Sequence, residues 1–256
     1  MPTEKGIYYF LSKREGNPYP PLVLIHGAGG SHLSWAPELR RLTGEDIYAI
    51  DLPGHGKSDG HGEQALADYA GKIEAWMDAI RLHRAVFTGH SMGGGIAVEL
   101  ALRSPHRVAA LVLISSGSTL PVRPDLLETT SNPSTFPSAL EILRDLAFSP
   151  GANPRLAELT LRRLAEVRPS VLHNDYLACA AYDAAGAVAK ISKPALVICG
   201  SDDRLTPLRH SQLLASRIEG AELRVIPGAG HMVTLEKPGE VAEIVGEFLK
   251  KHRPRL

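Results

Sequence analysis

The sequence predicts an α/β fold in which a mostly parallel sheet carries helices on both faces. Three observations predict it. Short apolar runs recur along the chain, most are continuous rather than alternating, and long helical patterns separate them. A continuous apolar strand is one buried on both sides. The runs are Leu22 to Ile25, Ile47 to Ile50, Ala85 to Thr88, Val108 to Ile114, Ala195 to Cys199 and Leu223 to Ile226, with Gly6 to Leu11 as an added antiparallel edge. The helices between them are Gln64 to Arg81, Ser91 to Arg103, Pro207 to Ile218 and Gly239 to Lys251.

Between about Ser118 and Ala189 the alternation stops. Pro-rich turns and helical patterns over Ala139 to Phe148, Arg155 to Val167 and Ser170 to Ala184 hold no strand. The sheet then resumes at Ala195. Residues 118–189 are therefore expected to be a helical cap over the sheet's carboxyl edge, with 1–117 and 190–256 forming the core.

Composition narrows the function. The 256 residues carry 28 Lys plus Arg against 28 Asp plus Glu, so the chain presents no electrostatic footprint for nucleic acid or an anionic membrane. The basic run Lys250 to Arg255 reads as a solvated terminus. No apolar run approaches the roughly 20 residues that span a bilayer. Met1 to Lys5 lacks a secretory apolar region, and the cytoplasm is the expected location. Cys179 and Cys199, in a helix and at a strand end, are expected to be buried free thiols.

The chemistry is concentrated where strands end. Gly89-His90-Ser91-Met92-Gly93 places a serine where an apolar strand turns abruptly into a helix. Small neighbours at Gly89 and Gly93 let the two arms pass closely, and the strained turn pushes the hydroxyl outward. The helix that follows aims unpaired N–H groups at the point where an oxyanion would form. His26-Gly27-Ala28-Gly29-Gly30 follows another strand and lacks the spacing of a dinucleotide or phosphate loop. Paired with the serine turn, it supplies an oxyanion hole whose two donors are the backbone N–H groups of Ala28 and Met92.

A serine hydroxyl needs a base, and histidine has the suitable reference pKa. Of eleven histidines, His231 sits in Gly228-Ala229-Gly230-His231-Met232, a turn at the same sheet edge. His26 is expected to hold loops together, and His90 cannot easily fold back onto its neighbour's hydroxyl. His55 and His61 lack the ligand spacing of a closed metal site, so no metal is expected. The base needs an orienting carboxylate, and Gly200-Ser201-Asp202-Asp203-Arg204-Leu205-Thr206-Pro207 offers two. Asp203 is chosen. Asp202 is left to pair with Arg204 or cap the turn, and Thr206 and Pro207 read as N-cap and first residue of the next helix.

These residues, with Asp51-Leu52-Pro53-Gly54-His55-Gly56-Lys57-Ser58, resemble the α/β-hydrolase superfamily along essentially the whole chain. The resemblance implies an eight-stranded sheet, a cap after the sixth strand, and the triad Ser91, Asp203 and His231. A serine at position 91 is unlike the dehalogenase and epoxide hydrolase branches, which carry an aspartate there. The Asp51 to Ser58 segment is read as structural support beside the site.

The expected activity is that of a carboxylesterase on short to medium acyl esters, with no cofactor, because nucleophile, base and oxyanion donors are all protein groups. A small-molecule ester is the only partner implied, and oligomeric state is left open. Trp35, Leu120, Phe136, Tyr176, Tyr182, Leu205 and Met232 are the candidate pocket residues. Lactones, thioesters and 1,5-diketones cleaved at a carbon–carbon bond are alternatives on the same machinery. The last calls for an arginine-bearing pocket, in which the sequence does not place Arg123, Arg144 or Arg162. A non-catalytic ligand sensor and an interfacial lipase are the remaining alternatives.

Overall fold

The computed structural model describes residues 2–252, so Arg253 to Arg255 of the expected solvated tail lie outside it. Eight strands form one sheet: β1 (Thr3–Glu4), β2 (Ile7–Ser12), β3 (Leu22–Ile25), β4 (Ile47–Ile50), β5 (Ala85–His90), β6 (Val108–Ile114), β7 (Ala195–Gly200) and β8 (Glu222–Ile226). Their order is β1-β2-β4-β3-β5-β6-β7-β8. The two pairings at the amino-terminal edge, β1 with β2 and β2 with β4, are antiparallel, and every other pairing is parallel.

Among the described residues ten α-helices accompany it: α1 (Pro37–Arg40), α2 (Leu66–Ala79), α3 (Met92–Arg103), α4 (Pro124–Thr130), α5 (Phe136–Ala147), α6 (Pro154–Ala165), α7 (Pro169–Ala181), α8 (Leu208–Arg217), α9 (Val233–Glu236) and α10 (Pro238–His252). The period-two geometry of a strand divides the core in two. On β3, Val23 and Ile25 join the cluster built with α2, α3 and Leu214 of α8, while Leu22 and Leu24 join the cluster built with Leu39 of α1 and the apolar stripe of α10. Every residue of β5, β6 and β7 is buried, whereas the edge strand β8 is half open. That is why the central strands read as continuous apolar runs.

The sheet order reverses at β3, whose neighbours β4 and β5 lie on either side. In open parallel sheets such a switch leaves a crevice beyond the carboxyl ends of the strands, and ligands bind there. Above it lie α4 to α7, all between β6 and β7. The segment leaves and returns at one neck, where Thr119 bridges Asp183 and the Ala184 N–H donates to the Ser118 carbonyl at 2.9 Å. It has an apolar cluster of its own, in which Leu126, Phe136, Ala139 and Leu143 pack on Leu172 and Tyr176 of α7.

Differences from the sequence reading are local. The edge expected over Gly6 to Leu11 is β2, antiparallel to β4, while the two-residue strand β1, helix α4 and the short helices α1 and α9 were not anticipated, and α8 begins at Leu208 with Pro207 just outside. Thr206 is therefore not the N-cap residue; its hydroxyl serves the site described next. Both cysteines are buried and free.

Candidate active site

Ser91 sits between β5 and α3 at φ 54° and ψ −119°, a conformation that L residues adopt only under constraint. The constraint is visible. The Ser91 N–H donates to the Ile114 carbonyl at 2.8 Å, and its own carbonyl accepts the Ser116 hydroxyl at 2.9 Å and the Gly94 N–H at 2.9 Å. The strand and the helix cross so closely that a Cβ on Gly89 would stand 2.1 Å from the Gly93 carbonyl oxygen, and one on Gly93 the same distance from that of Ile25. Only glycine fits at either place. Among the described residues the Ser91 hydroxyl has no hydrogen-bond partner and faces a cavity of about 760 Å³.

His231 lines the same cavity from the loop after β8. Its Nδ1 lies 3.0 Å from Asp203 Oδ2 and 3.1 Å from Oδ1, and both side chains are buried. The Leu205 and Thr206 N–H groups donate to Asp203 Oδ1 at 3.0 and 2.8 Å, and the Thr206 hydroxyl stands 2.9 Å from Oδ2. Burial pushes the Asp203 carboxyl up, but the His231 imidazole and these donors outweigh it and hold the group below the usual carboxylate range. Asp203 is thus an ionised acceptor on the Nδ1 side of the ring. Nε2 has no partner among the described residues, which leaves it available to a hydroxyl.

Asp202 points elsewhere, accepting the Ser201 hydroxyl at 2.8 Å, and Arg204 donates to the Phe148 carbonyl rather than to it. His90 donates from Nε2 to the His231 carbonyl at 2.9 Å, so it anchors the loop that carries His231. Burial first, and the His231 ring beside it second, lower the His90 pKa to about 3 and keep it neutral. His26 donates through Nδ1 to the Gly27 carbonyl at 2.8 Å and accepts the Leu52 N–H at Nε2 at 3.0 Å, tying two loops together. Asp51 collects the His32 and Lys57 N–H groups and the His32 ring. The segment from 51 to 58 therefore shapes the wall beside Ser91.

The Ala28 and Met92 N–H groups have no hydrogen-bond partner among the described residues, although Gly29 and Gly30 in the same loop do. Ala28 lines the cavity; Met92 opens α3, and its side chain is buried. One free donor lies in the loop whose Gly27 packs on Ser91, and the other follows Ser91 directly in the chain.

Of the expected pocket residues, Leu120, Tyr176, Leu205 and Met232 line the cavity, while Trp35, Phe136 and Tyr182 do not. Trp35 is buried in the sheet core, Phe136 in the cluster of α4, α5 and α7, and Tyr182 against Gly95. Aromatic residues fill cores as readily as cavities, and residue type alone does not separate the two. The apolar wall comes instead from Val122, Leu126, Leu143, Phe148, Leu161 and Leu164, mostly on the inner stripes of amphipathic helices. That periodicity was the signal that could have found them. Arg123, Arg163, Arg168 and Arg204 also reach the cavity, whereas Arg144 and Arg162 do not. Among the described residues no three His, Cys, Asp or Glu side chains are grouped as metal ligands, and no helix is long and apolar enough to cross a membrane.

The chain belongs to the alpha/beta hydrolase fold family, whose sequence model matches residues 20–238. It is 32% identical over 252 residues to the 2-hydroxymuconate semialdehyde hydrolase of Pseudomonas sp. (strain CF600), covering 90% of this chain and 86% of that protein. It is also similar to the solved structure of a thermophilic esterase, at 33% identity, a TM-score of 0.81 and coverage of 96% and 98%. The enol-lactonase of Burkholderia xenovorans LB400 shares the fold at a TM-score of 0.89 and 22% identity, with 95% and 96% of the two chains covered.

Proposed function

We propose that the chain is a serine hydrolase that cleaves carboxylic esters of short to medium acyl length through Ser91, His231 and Asp203. Residues 118–189 are its cap; 1–117 and 190–256 are its catalytic core. The observation that carries this reading is the convergence, on one largely apolar cavity, of an unpartnered serine hydroxyl, an imidazole held by a buried carboxylate, and the unpartnered Ala28 amide, with the unpartnered Met92 amide next to the serine in the chain. Ser91 attacks the acyl carbonyl while His231 Nε2 takes its proton. The ionised Asp203 stabilises the imidazolium that forms. The Ala28 and Met92 amides receive the oxyanion, a task in which one well-aimed donor contributes about 3 kcal/mol. His231 then returns the proton to the leaving alcohol, and water releases the acyl group by the same route.

The Ser91–His231 hydrogen bond is expected to form when substrate enters, since such bonds are often loose in unliganded sites. The test is hydrolysis of p-nitrophenyl esters from acetate to decanoate, with a falling rate once the chain outgrows the cavity. An enzyme inert to the whole series does not have this function.

A second reading is favoured by the arginines. Arg163 and Arg204 are on the cavity wall without a carboxylate partner among the described residues, donating only to the Leu33 and Phe148 carbonyls. Two uncompensated cations suit a substrate that carries a carboxylate, as do the vinylogous 1,5-diketones cleaved by meta-cleavage hydrolases, and the Pseudomonas relative carries that kind of name. In this case Arg204→Gln is expected to raise KM several-fold for a carboxylate-bearing diketone, about 1 kcal/mol for an exposed charge, and to leave p-nitrophenyl butyrate unaffected. Equal effects on both substrates would remove the anion from the argument.

A further inference from the structure

Asp175 of α7 is a carboxylate with no exposure at all, and the donors it collects belong to the core rather than to its own helix. Its Oδ2 accepts the Gly29 N–H at 2.8 Å and His55 Nε2 at 2.8 Å, and its Oδ1 accepts the Tyr69 hydroxyl at 2.6 Å. A buried carboxylate requires such donors. The seating of the helix, however, does not depend on this group alone. Near the surface Asn174 donates to the His61 carbonyl at 3.2 Å, and Arg168 donates to the carbonyls of Gly54 and Gly60. What distinguishes Asp175 is where Oδ2 reaches.

Gly29 follows Ala28 directly. The peptide that carries the Ala28 N–H also carries the Gly27 carbonyl, which is planar with it and points the opposite way. That carbonyl accepts His26 Nδ1 at 2.8 Å and the Gly30 N–H at 3.0 Å, so one end of the unit is tethered. The next peptide is tethered through Gly29, at φ 64°, to Asp175. Of the amides from Ala28 to Gly30, the free one lies between the two tethers.

We propose that Asp175 is a positioning residue for the oxyanion hole: through Gly29 it holds the Ala28 amide in its catalytic direction, so that a cap side chain sets the aim of a core donor. The inference rests on the reading of Ala28 as an oxyanion donor. It has a consequence that a simple structural pin lacks, because misdirecting that donor weakens the tetrahedral state more than the bound ester.

The test compares Asp175→Asn with Tyr69→Phe. Asparagine offers one acceptor oxygen to three donors, whereas Tyr69→Phe removes only the donor at Oδ1 and leaves the Gly29 bond in place. The readouts are kcat and KM for p-nitrophenyl butyrate, Ki for butylboronic acid, which forms a tetrahedral adduct on serine, and Tm. For Asp175→Asn the expected result is a fall in kcat of about tenfold or more, a matching rise in the boronate Ki, and KM within about threefold. Tyr69→Phe is expected to lower Tm while leaving Ki within about threefold. An unchanged Ki in Asp175→Asn, or Ki values that follow Tm in both variants, overturns the proposal.

Should Asp175→Asn not fold, amide exchange in the unaltered protein decides the matter. The Gly29 amide is expected to be protected, and the Ala28 amide to become protected only on boronate binding. Exchange of Gly29 at the rate of an open loop overturns the proposal. Ser91→Ala separates the two levels. Full activity without the serine removes the hydrolase reading itself, while loss of activity there, with normal boronate affinity in Asp175→Asn, removes only the positioning role.

Discussion

At the scale of single residues, Ser91 does two things that pull against stability. It holds a positive φ, which costs on the order of 1–3 kcal/mol, and it leaves its hydroxyl unpartnered. Strain of that kind persists only where the surroundings over-determine the backbone. Ser91→Ala keeps the strain and removes the proposed nucleophile, so kcat on a p-nitrophenyl ester is expected to fall by roughly four orders of magnitude or more with Tm nearly unchanged. The neighbouring aspartates give a sharper comparison. Asp203→Asn leaves an amide against Nδ1 and should lower kcat by about 10⁴-fold, as loss of the orienting carboxylate does elsewhere. Asp202→Asn changes a side chain that accepts the Ser201 hydroxyl and should stay within about twofold. Equal losses would mean that the two have been exchanged. The order of Ser91, Asp203 and His231 at strand ends was legible in the sequence because each follows an apolar run, with glycines on both sides of Ser91, glycines ahead of His231 and Gly200 ahead of Asp203. The cavity wall was not, since Trp35, Phe136 and Tyr182 differ from Tyr176 only in what the tertiary packing sets beside them.

At the scale of elements, the crossing of β5 and α3 is the feature on which the site depends. A methyl group on Gly89 or Gly93 meets backbone oxygens that cannot turn aside, so either glycine changed to alanine is expected to cost about 3 kcal/mol or more in denaturant unfolding. Gly246, within α10, has nothing within 4 Å of an added Cβ, and Gly246→Ala should stabilise by about 0.5–1 kcal/mol. If the Gly89 and Gly93 variants were as stable as that control, the close crossing would not exist in solution. The same contrast explains which elements could be read in advance. The central strands are defined by burial on both faces, a property written into four to seven consecutive residues, and their bounds agree with the expectation to within two positions. Helix α4 was missed because it is seven residues long and ends in two threonines. Their hydroxyls bond back to the Asp125 and Leu126 carbonyls, local bonds that propensity counts against a helix.

At the scale of the whole molecule, the buried imidazoles set how stability depends on pH. Burial, and then the neighbouring His55, lower the His26 pKa to about 4, as burial and the His231 ring lower that of His90 to about 3. In the unfolded chain both return to about 6.5. Between those limits the unfolded state binds more protons than the folded one, so stability rises with pH there. The contribution is complete above about pH 6.5 and is lost as pH falls toward 4, an effect on the order of a few kcal/mol for each ring. His55 acts in another window. Burial lowers its pKa, but Asp175 outweighs burial and raises it, so its contribution is present below about 6.5 and is lost as pH rises through the folded value. Asp203, held low, protects stability above about pH 4 and gives it up only at stronger acid. Tm is therefore expected to decline on acidification from about pH 6.5, well before the carboxylates titrate. His90→Gln, whose amide can still donate to the His231 carbonyl, should flatten that decline by removing one titrating ring. A Tm that stays level from about pH 7 to 4.5 would show that these rings accept protons without leaving their places, and would undo the account of why the loops around Ser91 are held by neutral histidines.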